Sequence, residues 1–235
     1  MYSKNLYFLM LLLLLFLLGG CSEIKSSDKV TQEITIDKVR NISLSGYGDL
    51  ILKQSDKEQK LSIETEKDIL PYIKARVDGD RLIIKVETKK IRNPQPQITF
   101  HVNVKTLNSL MTEGYVMVQD SDIKVDALKL EHRGSGSVKL NLDVANLEIK
   151  SQGSISFNLH GAAKNQEIAL AGAIKYNALS LQSSTCTLSG SGAVVVMLNC
   201  SELIQGELTG ASNLIYKESP KMEVSTSIAS NVKKY

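Results

Sequence analysis

The sequence predicts an all-β protein: a right-handed parallel β-helix, or solenoid, with coils of about 19 residues and a β-rich cap at its N-terminal end. Three observations predict it. Glycines recur at 114, 134, 153, 172, 190 and 210, a nearly constant interval along the chain. Around each glycine, apolar residues alternate with small or polar ones, which is the period of a strand with one buried face. A coil this short cannot bury its own inward side chains, so it must stack on a neighbour and share a continuous core.

The first element is an export signal. Residues 1–20, MYSKNLYFLMLLLLLFLLGG, place Lys4 ahead of an apolar run from Leu6 to Leu18 and close on two small residues. That run falls short of the roughly 20 apolar residues that a membrane-spanning helix needs, so the layout is that of a cleaved secretory signal. Leu18-Gly19-Gly20-Cys21 resembles the lipobox of bacterial lipoproteins. That resemblance implies cleavage before Cys21, acyl chains on this cysteine, and the membrane as the first partner. Ser22 in place of Asp leans the resemblance towards the outer membrane. Residues 21–30 then read as a polar, lipidated tether.

The remainder, 31–235, reads as one domain. Its composition is that of an ordinary globular chain, with 43% hydrophobic and 23% charged residues, and a net charge of +3 is too small to suggest nucleic acid. Residues 31–106 form the cap and opening coil. Gly46 fits the glycine frame, with Ile42 and Leu44 before it and Leu50 and Leu52 after, yet the next frame glycine is Gly114, several coil lengths further on. The block between holds strand-like runs at KLSIETE, RLIIKVE and QITFHVNV, and Asp78-Gly79 is a hairpin turn signal.

Residues 107–235 form the regular coils. Four positions after each frame glycine stand Val118, Val138, Phe157, Tyr176, Val194 and Leu214, an inward ladder. The right hand follows from the chirality of parallel crossovers. The repeated Gly-Ser-Gly marks bends between strands, where close backbone approach excludes a side chain. It is not a phosphate loop, since no helix and no Lys-Ser/Thr pair follow.

ISLSGYGDL, the DGDRLIIKV hairpin, the Gly-Ser-Gly coils and the closing LTGASNLIYKESPKMEVSTSIASNVKKY together resemble the GIN-domain family of auto-transporter adhesin heads. The resemblance covers nearly all of 31–235 and implies an exported β-helical domain. It departs at Gly210-Ala211-Ser212 and Ser230, where the family repeats Gly-Ser-Gly.

The candidate site residues lie on outward columns. Tyr47 and Tyr115 each follow a frame glycine and share one column, a platform for glycan or protein. Val195, Met197 and Ile215 make the late coils apolar outside as well as inside, a surface for a partner, a second copy or the chain's own C-terminal segment. Cys186 and Cys200 both read as inward. They are either a disulfide, which needs Cα atoms within about 7 Å, or buried thiols serving as small hydrophobes.

His101, His132 and His160 share no column, so no metal and no cofactor is expected. No column offers paired carboxylates or a Ser-His-Asp set, which argues against a carbohydrate-cleaving enzyme. The expectation is a lipid-anchored envelope protein with a binding face. The alternative is a structural or accessory lipoprotein that docks another membrane protein.

Overall fold

A computed structural model describes residues 28–93 and 95–235; the signal segment and Cys21 lie outside them. The described chain is all-β and contains no α-helix. Its strands are β1 (Lys29–Thr35), β2 (Asn41–Gln54), β3 (Lys60–Glu66), β4 (Ile73–Asp78), β5 (Arg81–Val86) and β6 (Ile98–Val104). There follow the extended run β7 (Ser109–Leu208), then β8 (Asn213–Lys217), β9 (Lys221–Thr226) and β10 (Asn231–Lys234).

β2 organises the front of the molecule. On one edge its residues 41–51 pair in parallel with 109–119 of β7, in a register that sets Gly46 beside Gly114 and Tyr47 beside Tyr115. On its other edge β5 pairs in parallel with 41–45 and β6 with 49–54. The long interval between Gly46 and Gly114 thus holds two strands, β5 and β6, that lie side by side along one edge of β2. β3 and β4 flank these two strands in antiparallel fashion. β4 forms a hairpin with β5 across Gly79, whose φ of +61° suits the turn, and β3 lies between β6 and β1.

In β7 the chain lies repeatedly against itself. A Cβ built on Gly134 would strike the carbonyl oxygen of Gly114, one on Gly153 that of Gly134, and one on Gly172 that of Gly153. Backbone therefore rests on backbone at these positions. Only a residue without a side chain tolerates both the contact and the positive φ, which is +122° at Gly153.

The column continues through Gly192, not Gly190: the Gly192 Cβ site faces the Gly172 oxygen, and the Gly210 site faces that of Gly192. The register agrees, since Val196, rather than Val194, pairs with Leu214. This corrects the frame drawn from sequence. Gly190 stands two residues earlier, on the inward side, with its Cβ site against the Leu208 side chain. A shift of two leaves every side chain on the same face of a strand, so alternation alone does not detect it.

The residues expected to point inward are buried, with Val196 in place of Val194 beside Leu214. Val118, Val138, Phe157, Tyr176, Val194, Val196 and Leu214 are all buried, and the Phe157 and Tyr176 rings sit 5.8 Å apart in a tilted arrangement. The buried apolar side chains make one contiguous cluster from Ile36 to Leu214, so cap and repeats share a core. Polar groups within it find partners. Tyr176 donates to Gln166 Oε1, and Gln166 Nε2 donates to Ser183 Oγ, each at 2.5 Å.

Candidate functional site

The two tyrosines that directly follow Gly46 and Gly114 meet on the outside. Parallel pairing brings their Cα atoms side by side, and their rings stack with centroids 5.2 Å apart and planes 19° from parallel. Tyr47 is half-buried and packs against the core cluster, whereas Tyr115 is 44% exposed. Tyr47 therefore backs Tyr115, and Tyr115 carries the free surface.

A polar pair flanks the stack. Gln119 Nε2 donates to Asp49 Oδ2 at 3.1 Å, and the Tyr115 hydroxyl donates to Met117 Sδ at 3.6 Å. Partial burial raises the Asp49 carboxyl above its usual range, against the opposing hydrogen bond from Gln119. Burial also raises the Tyr47 phenol, with Tyr115 and the Asp49 charge adding to it.

The same outward column continues over small residues. Since Gly134 rests on Gly114 and Gly153 on Gly134, the residues after them, Ser135 and Ser154, follow Tyr115 in line. Both are exposed. The aromatic pair ends abruptly against a floor of short hydroxyl side chains.

Val195, Met197 and Ile215 are brought together as well. Met197 pairs with Ile215, Val195 pairs with Asn213, all three apolar side chains are half-buried, and Val195 and Ile215 line a hollow of about 210 Å³. The chain's own C-terminal segment does not fold over them. β10 instead extends the stack, with Lys233 beside Ile215.

Cys186 and Cys200 are free thiols in this structure, both buried and in side-chain contact. Cys200 Sγ also donates to the carbonyls of Ser184 and Leu203, at 3.1 and 3.2 Å. The hydrogen bond with Cys200 and burial together push the Cys186 thiol up. The contact arises because Cys186 belongs to the Gln166 position of the preceding repeat once Gly192 sets the frame.

One further face has no counterpart among the sequence expectations. A broad open groove of about 1210 Å³ runs past Lys124, Asp143, Asn146, Glu148 and Asn165. Asn165 donates to Asn146 at 2.9 Å, Thr185 donates to Asn165 at 2.8 Å, and Lys124 pairs with Asp143 at 2.6 Å. Amide-to-amide bonds recur at the same sequence offset in Asn177 to Asn158. Among the described residues no group of three or more His, Cys, Asp or Glu side chains is placed to hold a metal ion.

Parallel pairing that sets like residues beside like, together with an outer face of aromatic, hydroxyl and amide rows, defines an all-β scaffold with ordered outward side chains. The chain belongs to the family described as "Putative auto-transporter adhesin, head GIN domain", whose model matches residues 38–220. Solved structures share the fold. A putative adhesin from Bacteroides fragilis NCTC 9343 is similar with a TM-score of 0.80 and 22% identity, over 89% of this chain and 98% of that one. A putative adhesin from Parabacteroides merdae ATCC 43184 gives 0.66 and 17%, over 89% and 97%. A putative lipid binding protein from Parabacteroides distasonis ATCC 8503 gives 0.63 and 18%, over 89% and 98%. Comparison with curated proteins yields no significant match.

Proposed function

We propose that this chain is an exported, lipid-anchored envelope protein whose single domain binds a ligand outside the cytoplasm. In this reading residues 1–20 are a cleaved signal, Cys21 carries the lipid, and residues 21–30 are the tether. Residues 31–235 form a right-handed parallel β-helix whose coils repeat at the glycine interval. The anchor favours the outer membrane. Family membership and two similar structures named as adhesins support adhesion as the task.

The observation that carries the reading is the stacking of equivalent outward residues. Tyr47 on Tyr115, Asn165 on Asn146 and Asn177 on Asn158 form rows at fixed spacing. Such rows are held by backbone on backbone, so a ligand meets side chains that are already ordered and little further ordering opposes binding. Repetition along the axis multiplies weak contacts.

The test is surface accessibility. Intact cells are treated with protease or a membrane-impermeant amine label, and radiolabelled palmitate is followed into the wild-type protein and Cys21→Ser. The proposal requires labelling of wild type with both reagents and loss of palmitate in the variant. A chain that stays untouched on intact cells and reacts only after lysis would refute display.

A second reading has its own observation. The half-buried apolar group at Val195, Met197 and Ile215 is a surface on which an accessory envelope lipoprotein would dock another membrane protein. Under that reading Met197→Lys abolishes co-purification of a membrane partner without loss of surface labelling.

A further inference from the structure

We infer that the exposed ring face of Tyr115 is a sugar-binding step: one pyranose of a glycan lies flat against Tyr115 and over Ser135 and Ser154. The inference rests on the binding function proposed above and names the ligand class for it.

The geometry has three parts. First, the aromatic wall is rigid. Tyr47 is partly buried in the core cluster and stacks on one side of Tyr115, so the second ring is held upright without help from a ligand. Second, the wall has one open side. Along this column the residues beyond Tyr115 are Ser135 and Ser154, then Ala173, all exposed and all too small to cover a ring. Third, a fixed polar pair stands on the Tyr47 side of the wall: Asp49, two residues beyond Tyr47 on β2, accepts from Gln119 Nε2 at 3.1 Å.

A pyranose matches this arrangement chemically. One face of the ring is a patch of C–H groups that packs on an aromatic face, and its rim is hydroxyls that exchange hydrogen bonds with serine hydroxyls such as those of Ser135 and Ser154. A protein ligand matches it poorly. Protein hot spots lie within surrounding apolar contact that excludes water. Among the described residues the exposed large hydrophobics are Val77, Tyr115, Ile228 and Tyr235. The other three lie on the β4 hairpin and at the C-terminal end, so among the described residues no second exposed large hydrophobic side chain adjoins Tyr115.

The experiment uses the full acylated chain in detergent, titrated calorimetrically with cellohexaose, chitohexaose and a soluble mannan. Wild type is expected to bind at least one of the three. Tyr115→Ala is expected to weaken that binding by about tenfold or more, and Tyr115→Phe to retain it. Ser135→Tyr is the decisive variant. A third ring in the column would stack on Tyr115 and occupy its open face, so binding is lost while the thermal midpoint stays level or rises. Loss of binding through misfolding would instead lower that midpoint.

Absence of binding to all three glycans, or wild-type affinity in both Tyr115→Ala and Ser135→Tyr, overturns the inference. Failure here leaves surface labelling intact, whereas failure of the display reading leaves the purified protein's sugar binding intact; the two outcomes are separable.

Discussion

His132 follows Thr112 on one inward column, and it is 2% exposed, with its Nδ1 2.8 Å from the Thr112 hydroxyl. Burial pushes its pKa below the ordinary histidine value, outweighing a smaller opposite effect from the Gly134 backbone. The folded state therefore holds the neutral ring, while the unfolded chain takes up a proton below about pH 6.5. Stability from this group is fully present above that pH and is lost as pH falls below it, until the depressed folded pKa is reached. The slope is at most about 1.4 kcal/mol per pH unit. Urea titrations across pH 7.5 to 5 should show wild type losing stability faster than His132→Leu, and parallel curves would remove the histidine as the cause. Glycine offers a sharper contrast. Gly153→Ala drives a Cβ into the Gly134 carbonyl at φ +122°, whereas Gly79→Ala meets nothing within 4 Å at φ +61°. The first should cost more than about 3 kcal/mol, combining backbone strain with a clash that side-chain rotation cannot relieve, and the second about 1 kcal/mol. Denaturant midpoints of the two variants check the order.

Strand by strand, what holds the repeats together also explains what could be read beforehand. The polar chain Tyr176–Gln166–Ser183 is enclosed by apolar ladders, so Tyr176→Phe leaves Gln166 Oε1 without its donor. The expected cost is about 1–3 kcal/mol, the desolvation of an unpaired buried acceptor, and Tyr176→Phe with Gln166→Leu should recover part of it in a double-mutant cycle. Inward positions such as Val138 and Phe157 are legible because a buried face demands apolar residues at every second position. Tyr47 and Tyr115 are legible as a pair because both follow a frame glycine by one. Gly190 passes for Gly192 because a slip of two preserves the face, and only backbone contact separates the candidates. The pairing of β5 and β6 along one edge of β2 is hidden for a different reason. Their partners lie far away in the chain, and alternation states which side of a strand is buried without stating which strand lies next to it. The contact between Cys186 and Cys200 depends on the corrected frame, so it too lies beyond the pattern.

At the scale of the whole molecule, the proposed β-helix makes a demand that no single substitution tests. If each repeat contacts only its neighbours, stability is a sum of similar units and interfaces, and one complete unit can be removed without rebuilding the rest. Residues 153–171 are such a unit, because Gly153 rests on Gly134 and Gly172 rests on Gly153. Deleting them joins Gln152 to Gly172, which then meets Gly134 as Gly153 did. Tyr176 then falls in line with Val138, and the outward Asn177 with Lys139. The buried partner Gln166 is lost with the unit, so Tyr176→Phe accompanies the deletion to avoid a stranded hydroxyl. The shortened protein should remain all-β by circular dichroism and unfold in one cooperative transition at lower denaturant concentration. Its m-value should be smaller, in proportion to the surface removed. A deletion of residues 153–162 is the control, for it keeps the strand alternation but takes out half a unit, so the later glycines no longer reach their predecessors. That protein should not fold. Equal behaviour of the two deletions would mean that the repeats are not interchangeable stacked units, and the rows of outward side chains on which binding is argued would lose their physical basis.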